Sequence, residues 1–281
     1  MTMICEKDPI KFYAHVESLL MDREAENNLP LGLLERMKDS SFDGEYFLVH
    51  MQKSDNSMFM SMRTPPHLWI LPSLINLDPE HLREFARYLH KHHYEVPGVL
   101  GERTAVKWFI DEWHELTKQK YDLHMEQGIY RLDKLKPIAE QSGELVKADQ
   151  THKELAEEWM RQFSRETNEP DLYERASELV NEMIETGRLY LWSMEGKPVS
   201  MVSRARTTKN GATINSVFTP DEYKRNGYAS QAVWHLTGRL LTMGYKFCAL
   251  YTDLANPTSN SIYQKLGYKR VGDSVVYKFR K

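Results

Sequence analysis

The fold is decided by the segment VFTPDEYKRNGYAS, which occupies residues 217–230. Its first residues predict the end of a strand, its middle is a basic loop that turns at Gly227, and an amphipathic helix follows. Backbone N–H groups in such a loop, with the helix dipole behind them, can bind a phosphate or pyrophosphate. Gly227 and Ala229 let the backbone approach the oxygens, and Lys224 and Arg225 add positive charge.

This loop alone leaves more than one interpretation open. It lacks the Gly-Lys-Ser/Thr ending of a P-loop. It also follows predicted hairpins rather than a βαβ unit, so it is not the dinucleotide fingerprint. Taken by itself, an ordinary strand-to-helix turn with solvated basic residues is the simpler interpretation.

A second segment changes that balance. Residues 250–268 read LYTDLANPTSNSIYQKLGY. The pattern predicts a strand that opens into a loop, Asn256 as the cap of a helix that begins at Pro257, and Tyr263 two turns into that helix. Gly267 then ends the helix.

The elements around these segments predict an α+β fold with a mixed central sheet and flanking helices. The second half reads as a strand (144–148), two helices (155–163, 172–184), three antiparallel strands (189–194, 199–206, 212–218), a helix (228–243), a strand (247–252), a helix (257–266) and a strand (275–279).

At these two segments the sequence resembles the GNAT acyl-CoA N-acyltransferase superfamily. The family's acyl-CoA loop, Arg/Gln-x-x-Gly-x-Gly/Ala, is matched by Lys224, Gly227 and Ala229. Its distal helix, Asn-x-x-Ala/Ser-x-x-x-Tyr before Gly-Tyr/Phe, is matched by Asn256, Ser259, Tyr263, Gly267 and Tyr268. The clear resemblance covers residues 189–279, and the topology extends it back to about residue 143. Lys224 departs from the usual Arg or Gln: it keeps the charge but loses the planar fork, which would weaken pyrophosphate binding.

The resemblance implies acetyl-CoA as acyl donor and a role for each matched residue. Backbone groups of Val217 and Thr219 would pair with the pantetheine arm, residues 224–230 would hold the pyrophosphate, and Asn256 would help to hold the pantetheine. The full set of implied cofactor-binding residues is Val217, Phe218, Thr219, Lys224, Arg225, Asn226, Gly227, Tyr228, Ala229, Ser230, Asn256 and Ser259.

The implied chemistry is direct attack of a neutral amine on the thioester. A backbone N–H near Phe218 is a candidate donor to the oxyanion. The Tyr263 hydroxyl is the candidate acid for the departing thiolate, although a half-buried tyrosine packed beside its helix neighbours is the alternative. No base can be assigned from the sequence. The candidates are Asp221, Glu222, Asp253, His235 or a chain of water molecules.

The first half echoes this order with strands, a helix, a break at residues 96–98, a helix and a strand. Its counterpart of the phosphate loop, residues 72–78, lacks both the basic charge and the Gly-x-Ala step. We therefore divide the chain into a degenerate GNAT-like half (1–126) and a catalytic GNAT domain (127–281), as in tandem members of the superfamily. An unrelated cap domain is the alternative for the first half.

Composition and charge exclude several classes of protein. The 281 residues carry 37 Lys+Arg against 40 Asp+Glu, with no long basic run, so we expect no nucleic-acid partner. No apolar stretch is long enough to span a membrane, and the N-terminus does not resemble a signal peptide. Two distant cysteines are typical of free thiols in the cytoplasm. No metal is expected, because His90 and His93 would supply only two ligands on one helix face.

The sequence therefore predicts an N-acetyltransferase that acts on a primary amine of a small molecule or peptide. Another acyl-CoA N-acyltransferase, or a non-catalytic acyl-CoA sensor, is the alternative. Homodimer formation is left open, and no feature of the sequence identifies the acceptor amine.

Overall fold

The computed structural model describes residues 1–39, 42–54 and 56–280, which form two compact units. Unit 1 comprises Met1–Tyr130, Tyr251–Pro257 and Arg270–Lys281. Unit 2 comprises Arg131–Leu250 and Thr258–Lys269. The last strand of the chain thus belongs to unit 1, whereas the sequence-based division placed it with the second half. That division stays a prediction about which half binds acyl-CoA.

The described residues of unit 1 form four helices and seven strands, and two of these strands extend into unit 2 by one or two residues. They are β1 (Thr2–Glu6), α1 (Pro9–Met21), α2 (Asn28–Lys38), β2 (Phe47–Lys53), β3 (Asn56–Arg63), β4 (Trp69–Leu71), α3 (Pro79–Lys91), β5 (Gly98–Glu102), α4 (Arg103–Thr117), β6 (Tyr121–Leu132) and β12 (Lys269–Phe279).

The strands of unit 1 follow the order β1-β2-β3-β4-β5-β12-β6. The pairs β1–β2, β2–β3 and β3–β4 are antiparallel, whereas β4 and β5 are parallel, with Ile70 opposite Leu100. Strand β12 pairs with β5 in antiparallel register, with Val276 opposite Leu100. Both kinds of pairing therefore meet at β5, which makes this a mixed sheet.

Alternate residues of each strand enter different cores. Val49, on β2, and Phe59, on β3, pack in a buried cluster with Phe85, on α3. Their strand neighbours Leu48 and Met60 pack in a second cluster, formed with α1 and α2. Because the two clusters bury opposite sides of the same strands, the sheet of unit 1 carries helices on both faces.

Unit 2 contains most of the remaining helices and strands, although the last three residues of β11 and the first residue of α9 belong to unit 1. The elements are β7 (Glu144–Lys147), α5 (Lys153–Thr167), α6 (Pro170–Glu174), α7 (Ala176–Glu185), β8 (Leu189–Met194), β9 (Lys197–Thr207), β10 (Gly211–Phe218), α8 (Tyr228–Thr242), β11 (Phe247–Asp253) and α9 (Pro257–Leu266).

The strands of unit 2 follow the order β11-β10-β9-β8-β7. Strands β7 to β10 pair in antiparallel fashion, and β10 and β11 are parallel. Trp159, on α5, Val180, on α7, and Leu191, on β8, pack with Phe218 in a buried cluster. This packing fixes the end of β10, from which the loop of residues 219–227 departs.

The prediction of an α+β fold with a mixed sheet is confirmed. The elements predicted in the second half are present, except that the single helix predicted over residues 172–184 is two helices, α6 and α7, which are separated at Arg175. Three elements of the first half were not predicted: β1, α2 and β5. Among the described residues, no helix is both long and apolar enough to cross a membrane. Cys5 and Cys248 are free thiols.

Candidate functional site

The end of β10 separates from its parallel neighbour. The pairing of β10 with β11 runs from Gly211–Phe247 to Thr213–Ala249 and ends there. On its other side, β10 shifts register against β9 between Asn215 and Phe218, where Ser216 adopts a φ of 50°. A bulge of this kind bends a strand and redirects its backbone groups.

Hydroxyl groups hold this bent strand end in place. Ser200 Oγ, on β9, donates to the Phe218 carbonyl oxygen at 2.9 Å, and Ser203 Oγ donates to the Asn215 carbonyl oxygen at 3.2 Å. Thr219 Oγ1 in turn donates to Ser200 Oγ at 2.8 Å. Phe218 and Thr219 are buried, whereas the Val217 side chain is partly exposed. The carbonyl groups of Asn215 and Phe218 are therefore held by side-chain hydrogen bonds that are partly or fully buried.

The loop after β10 leads directly into the N-terminus of α8. Asn226 Nδ2 donates to the Tyr223 carbonyl oxygen at 3.1 Å and closes the loop. Gly227 has a φ of 81° and occupies the N-cap position, so it provides no side-chain cap for the helix. The N–H groups of the first turn, at Tyr228, Ala229 and Ser230, are the ones that a helix leaves without intrahelical partners. This arrangement can bind an anion.

The two cations of the loop differ in their environment. Lys224 Nζ lies 2.5 Å from Glu166 Oε1, on α5, and 2.7 Å from Asp221 Oδ1. Partial burial lowers the pKa of Lys224, but hydrogen bonds to Asp221 and Glu166 outweigh it and raise that pKa. The same contact with Lys224 lowers the pKa of Asp221. Arg225 is exposed and, within the described part of the chain, has no ion-pair partner. Arg225 is thus the cation that is open to a ligand.

One contact of this loop was not predicted. Gln141 Nε2 donates to the Asn226 carbonyl oxygen at 2.8 Å, and a Cβ at Gly227 would lie 3.1 Å from the same nitrogen. Two residues earlier, the Ala139 carbonyl oxygen accepts from Gln231 Nε2 at 2.7 Å. The segment before β7 therefore lies along α8. No short motif in that segment signals the contact, because it depends on a residue 85 positions away.

Tyr263 lies on α9 and is almost completely buried, with 7% of its surface exposed. Its ring packs edge-on against Tyr268, with 6.1 Å between centroids. Burial raises the pKa of Tyr263 above its ordinary value, so the hydroxyl keeps its proton at neutral pH. Such a group can act as a proton donor and not as a base.

Asn256 directly precedes α9, as predicted, and its side chain is exposed. Its backbone N–H donates to the Asp253 carbonyl oxygen at 3.1 Å, and Asp253 Oδ1 accepts from the Ala255 N–H at 2.8 Å. The turn that starts the helix is therefore built on Asp253. Ser259, in the first turn of α9, is half-buried. The roles of Asn256 and Ser259 toward the pantetheine stay predictions.

Comparison with known families agrees with this geometry. Residues 152–268 match the model of the family described as Acetyltransferase (GNAT) family. Residues 152–268 are a GNAT domain. The family predicted from the two sequence segments is thereby confirmed, and the fold is that of GNAT acyltransferases. The matched region contains the loop of residues 219–227, the helix α8 and Tyr263.

Solved structures extend the likeness to the rest of the chain. The chain is similar to a GCN5-related N-acetyltransferase from Sphaerobacter thermophilus (14% identity, TM-score 0.64, 99% of this chain and 95% of that chain). It is similar to a GNAT-family acetyltransferase from Colwellia psychrerythraea (12%, 0.61, 100% of both chains). It is also similar to a tandem GNAT protein from the clavulanic acid biosynthesis pathway (10%, 0.61, 99% and 98%). At these identities the likeness concerns the fold alone. No curated protein sequence matches the chain significantly.

None of the candidate bases in the GNAT domain stands out. Asp221 is paired with Lys224, and Glu222 is exposed. His235, on α8, stacks on Trp192, with 4.8 Å between ring centroids. Its pKa is lowered by burial, so its imidazole is neutral at neutral pH, but its stacking partner belongs to the core. We assign no base.

The structure places His90 at the end of α3 and His93 just after it, in unit 1. His90 packs edge-on against Trp113, with 6.2 Å between centroids. Among residues 1–39, 42–54 and 56–280, no group of three or more His, Cys, Asp or Glu residues is arranged to hold a metal ion.

Proposed function

We propose that this protein transfers an acetyl group from acetyl-CoA to a primary amine of a small molecule or peptide. The observation that carries the proposal is the arrangement around β10. Its parallel pairing with β11 ends at Thr213–Ala249, a bulge follows, and the next helix begins at an uncapped N-terminus after Gly227. An opening between strands suits an extended arm, and the helix N-terminus suits a pyrophosphate.

The cofactor contacts follow from this arrangement. The backbone of Val217 and Thr219 would pair with the pantetheine arm in the manner of an added strand. The N–H groups of residues 228–230 would hold the pyrophosphate, and Arg225 would supply the positive charge that Lys224 shares with Glu166 and Asp221. Asn256 would contact the pantetheine. The proposed binding of acyl-CoA involves no metal ion.

The proposed reaction is one displacement at the thioester carbon. The neutral amine nitrogen forms a bond to the carbonyl carbon, and its proton passes to solvent or to a base that we do not assign. The carbon–sulfur bond then breaks, and the Tyr263 hydroxyl gives its proton to the leaving thiolate. Because burial raises the pKa of Tyr263, this proton is present at neutral pH.

Calorimetric titration with acetyl-CoA and with free CoA tests the cofactor site. We expect micromolar binding by the wild type and its loss in Gly227→Val, since a branched side chain at a φ of 81° strains the loop and points toward Gln141. Gly196→Val is the control, because Gly196 has a φ of 79° and nothing within 4 Å of a Cβ. Equal CoA affinity in the wild type and Gly227→Val would refute the proposed site.

One observation favours a second candidate, a non-catalytic acyl-CoA sensor. Lys224, which stands at the family's Arg/Gln position, is engaged by Glu166 and Asp221, so the loop offers less free charge than its sequence implies. A sensor would bind acyl-CoA and show no turnover with any amine. A cytoplasmic location and a homodimer stay predictions from the sequence.

A further inference from the structure

The segment between β6 and β7, residues 133–143, forms neither a helix nor a strand and lies within unit 2. We call it the strap. Two side chains of α8 hold it through its own backbone. Trp234 Nε1 donates to the Lys136 carbonyl oxygen at 2.9 Å, and Gln231 Nε2 donates to the Ala139 carbonyl oxygen at 2.7 Å. The strap is therefore fixed along the helix that follows the candidate phosphate loop.

The end of the strap reaches that loop. Gln141 Nε2 donates to the Asn226 carbonyl oxygen at 2.8 Å. Gln141 Oε1 is buried and, within the described residues, accepts no hydrogen bond. A buried acceptor without a partner costs stability, so packing alone does not account for a glutamine at this position. The opposite orientation of the amide would set Oε1 against the Asn226 carbonyl oxygen, so the contact requires the Nε2 donor.

Three further carbonyl oxygens of the loop accept hydrogen bonds. Asn226 Nδ2 donates to those of Tyr223 and Lys224, at 3.1 and 3.3 Å. The Gln231 N–H donates to the Gly227 carbonyl oxygen at 3.1 Å, at the start of α8. A backbone site for an anion presents N–H groups to the ligand and keeps carbonyl oxygens away from it. Of these carbonyl groups, that of Asn226 is held by a donor from outside the loop and the helix.

The peptide between Asn226 and Gly227 has particular need of such a donor. Gly227 has a φ of 81°, and without a Cβ the peptide before it can turn over at little cost. The C=O and N–H groups of a trans peptide point in opposite directions. The bond from Gln141 therefore fixes the Gly227 N–H as well, directed away from the strap. Turning the peptide over would exchange the two groups and change the charges that the loop presents to an anion.

We propose, on the basis of the proposed acyl-CoA site, that Gln141 is a positioning residue for the pyrophosphate of CoA. It fixes the peptide between Asn226 and Gly227 so that the loop presents N–H groups and not a carbonyl oxygen. Gln141 acts through this peptide and needs no contact with the cofactor. Because Trp234 and Gln231 hold the strap independently, loss of the Gln141 amide releases the peptide and leaves the strap in place.

The test is calorimetric titration of the full chain with CoA and with pantetheine, which lacks the pyrophosphate. Gln141→Met keeps the length of the side chain and removes the donor. We expect this variant to bind CoA at least about fivefold more weakly than the wild type, with pantetheine affinity unchanged, because only the pyrophosphate depends on the orientation of the peptide. Trp234→Phe is the control: it breaks another bond between α8 and the strap, and both affinities are expected to stay at the wild-type level.

The possible results separate this role from a merely structural one. General damage to unit 2 would weaken CoA and pantetheine in the same proportion, and that result would overturn the inference. Equal CoA affinity in the wild type and Gln141→Met would also overturn it, while leaving the acyl-CoA site intact. Absence of CoA binding by the wild type would refute the acyl-CoA site itself, and the role of Gln141 with it.

Discussion

Lys224 Nζ lies 2.5 Å from Glu166 Oε1, so the cation at the family's phosphate-binding position is already paired with a carboxylate of α5. Both side chains are partly exposed, at 40% and 48%, and an exposed ion pair of this kind contributes at most about 1 kcal/mol. A bound pyrophosphate would compete with Glu166 for the same ammonium group. The ion pair is therefore expected to lower the affinity for CoA slightly.

We expect Glu166→Gln to strengthen the binding of CoA by up to about fivefold, because Lys224 is released toward the loop and a negative charge is removed. The affinity should also fall more steeply with salt than in the wild type. Titration calorimetry at two ionic strengths measures both effects. Glu154→Gln, an exposed residue on the same helix, is the control and should change neither. Weaker binding in Glu166→Gln would mean that Glu166 positions Lys224 for the phosphate.

The second prediction concerns Tyr263. Tyr263→Phe keeps the ring that packs against Tyr268 and removes only the proton donor. We expect kcat to fall by about 10²–10⁴-fold, with CoA affinity nearly unchanged, once an acceptor amine has been found by screening. Steady-state kinetics and CoA titration give the two quantities. Turnover at the wild-type level would show that another group protonates the thiolate.

The pH dependence of kcat provides an independent check on the same residue. Since burial raises the pKa of Tyr263, the hydroxyl stays protonated beyond the pH at which an ordinary tyrosine, with a pKa of about 10, ionises. The acid form is therefore available from neutral pH to above pH 9, and we expect no alkaline loss of kcat in that range. A decline of kcat with an apparent pKa below 9 would indicate a different acid.

The sequence predicts the local elements of the candidate site better than it predicts the contacts that hold them. The loop of residues 224–230 and the helix that carries Tyr263 are local patterns, in which cap, turn and helix lie within twenty residues of one another. The contact of Gln141 with Asn226 and the pairing of Lys224 with Glu166 join distant residues. A single sequence contains no local signal for such pairs.

The three missed elements of unit 1 have physical explanations. Pro30, which from the sequence alone argues against a helix, stands in the first turn of α2 (Asn28–Lys38), where proline costs no hydrogen bond. Strand β1 is five residues long and only half-buried, so its pattern is weak. Gly98 was read as part of a break, although a Cβ there would overlap the Tyr277 carbonyl oxygen on β12. That glycine is required by a neighbouring strand distant in sequence.

A third prediction follows from His50 in unit 1. Its side chain is 1% exposed, its ring stacks on His15 at 5.1 Å between centroids, and its Nδ1 lies 3.0 Å from Ser57 Oγ. Burial, and secondarily the nearby His15, lower the pKa of His50, against a smaller raising effect of Glu6. The unfolded chain therefore binds a proton at this residue at a higher pH than the folded one does.

Stability should consequently fall as the pH drops below about 6.5, the ordinary histidine pKa. Urea unfolding at pH 7 and pH 5 gives the difference in the free energy of unfolding. We expect this difference to be smaller in His50→Gln than in the wild type. His90→Gln, at an exposed position, serves as the control and should behave like the wild type. An unchanged difference in His50→Gln would assign the acid sensitivity to other groups.

The last prediction concerns the close approach of β4 and β5. Gly101 has a φ of +147°, which side chains rarely adopt, and a Cβ there would overlap the Leu71 carbonyl oxygen. Backbone atoms cannot move aside as a flexible side chain can, so Gly101→Ala is expected to lower the free energy of unfolding by about 2–4 kcal/mol. Gly196 also has a positive φ, but at 79° it lies in the left-handed region, and a Cβ there would have open space around it, so the cost of Gly196→Ala should be limited to about 1–2 kcal/mol. Urea unfolding of both variants measures the difference. Equal destabilisation would show that backbone conformation, and not the approach of Leu71, requires glycine at position 101.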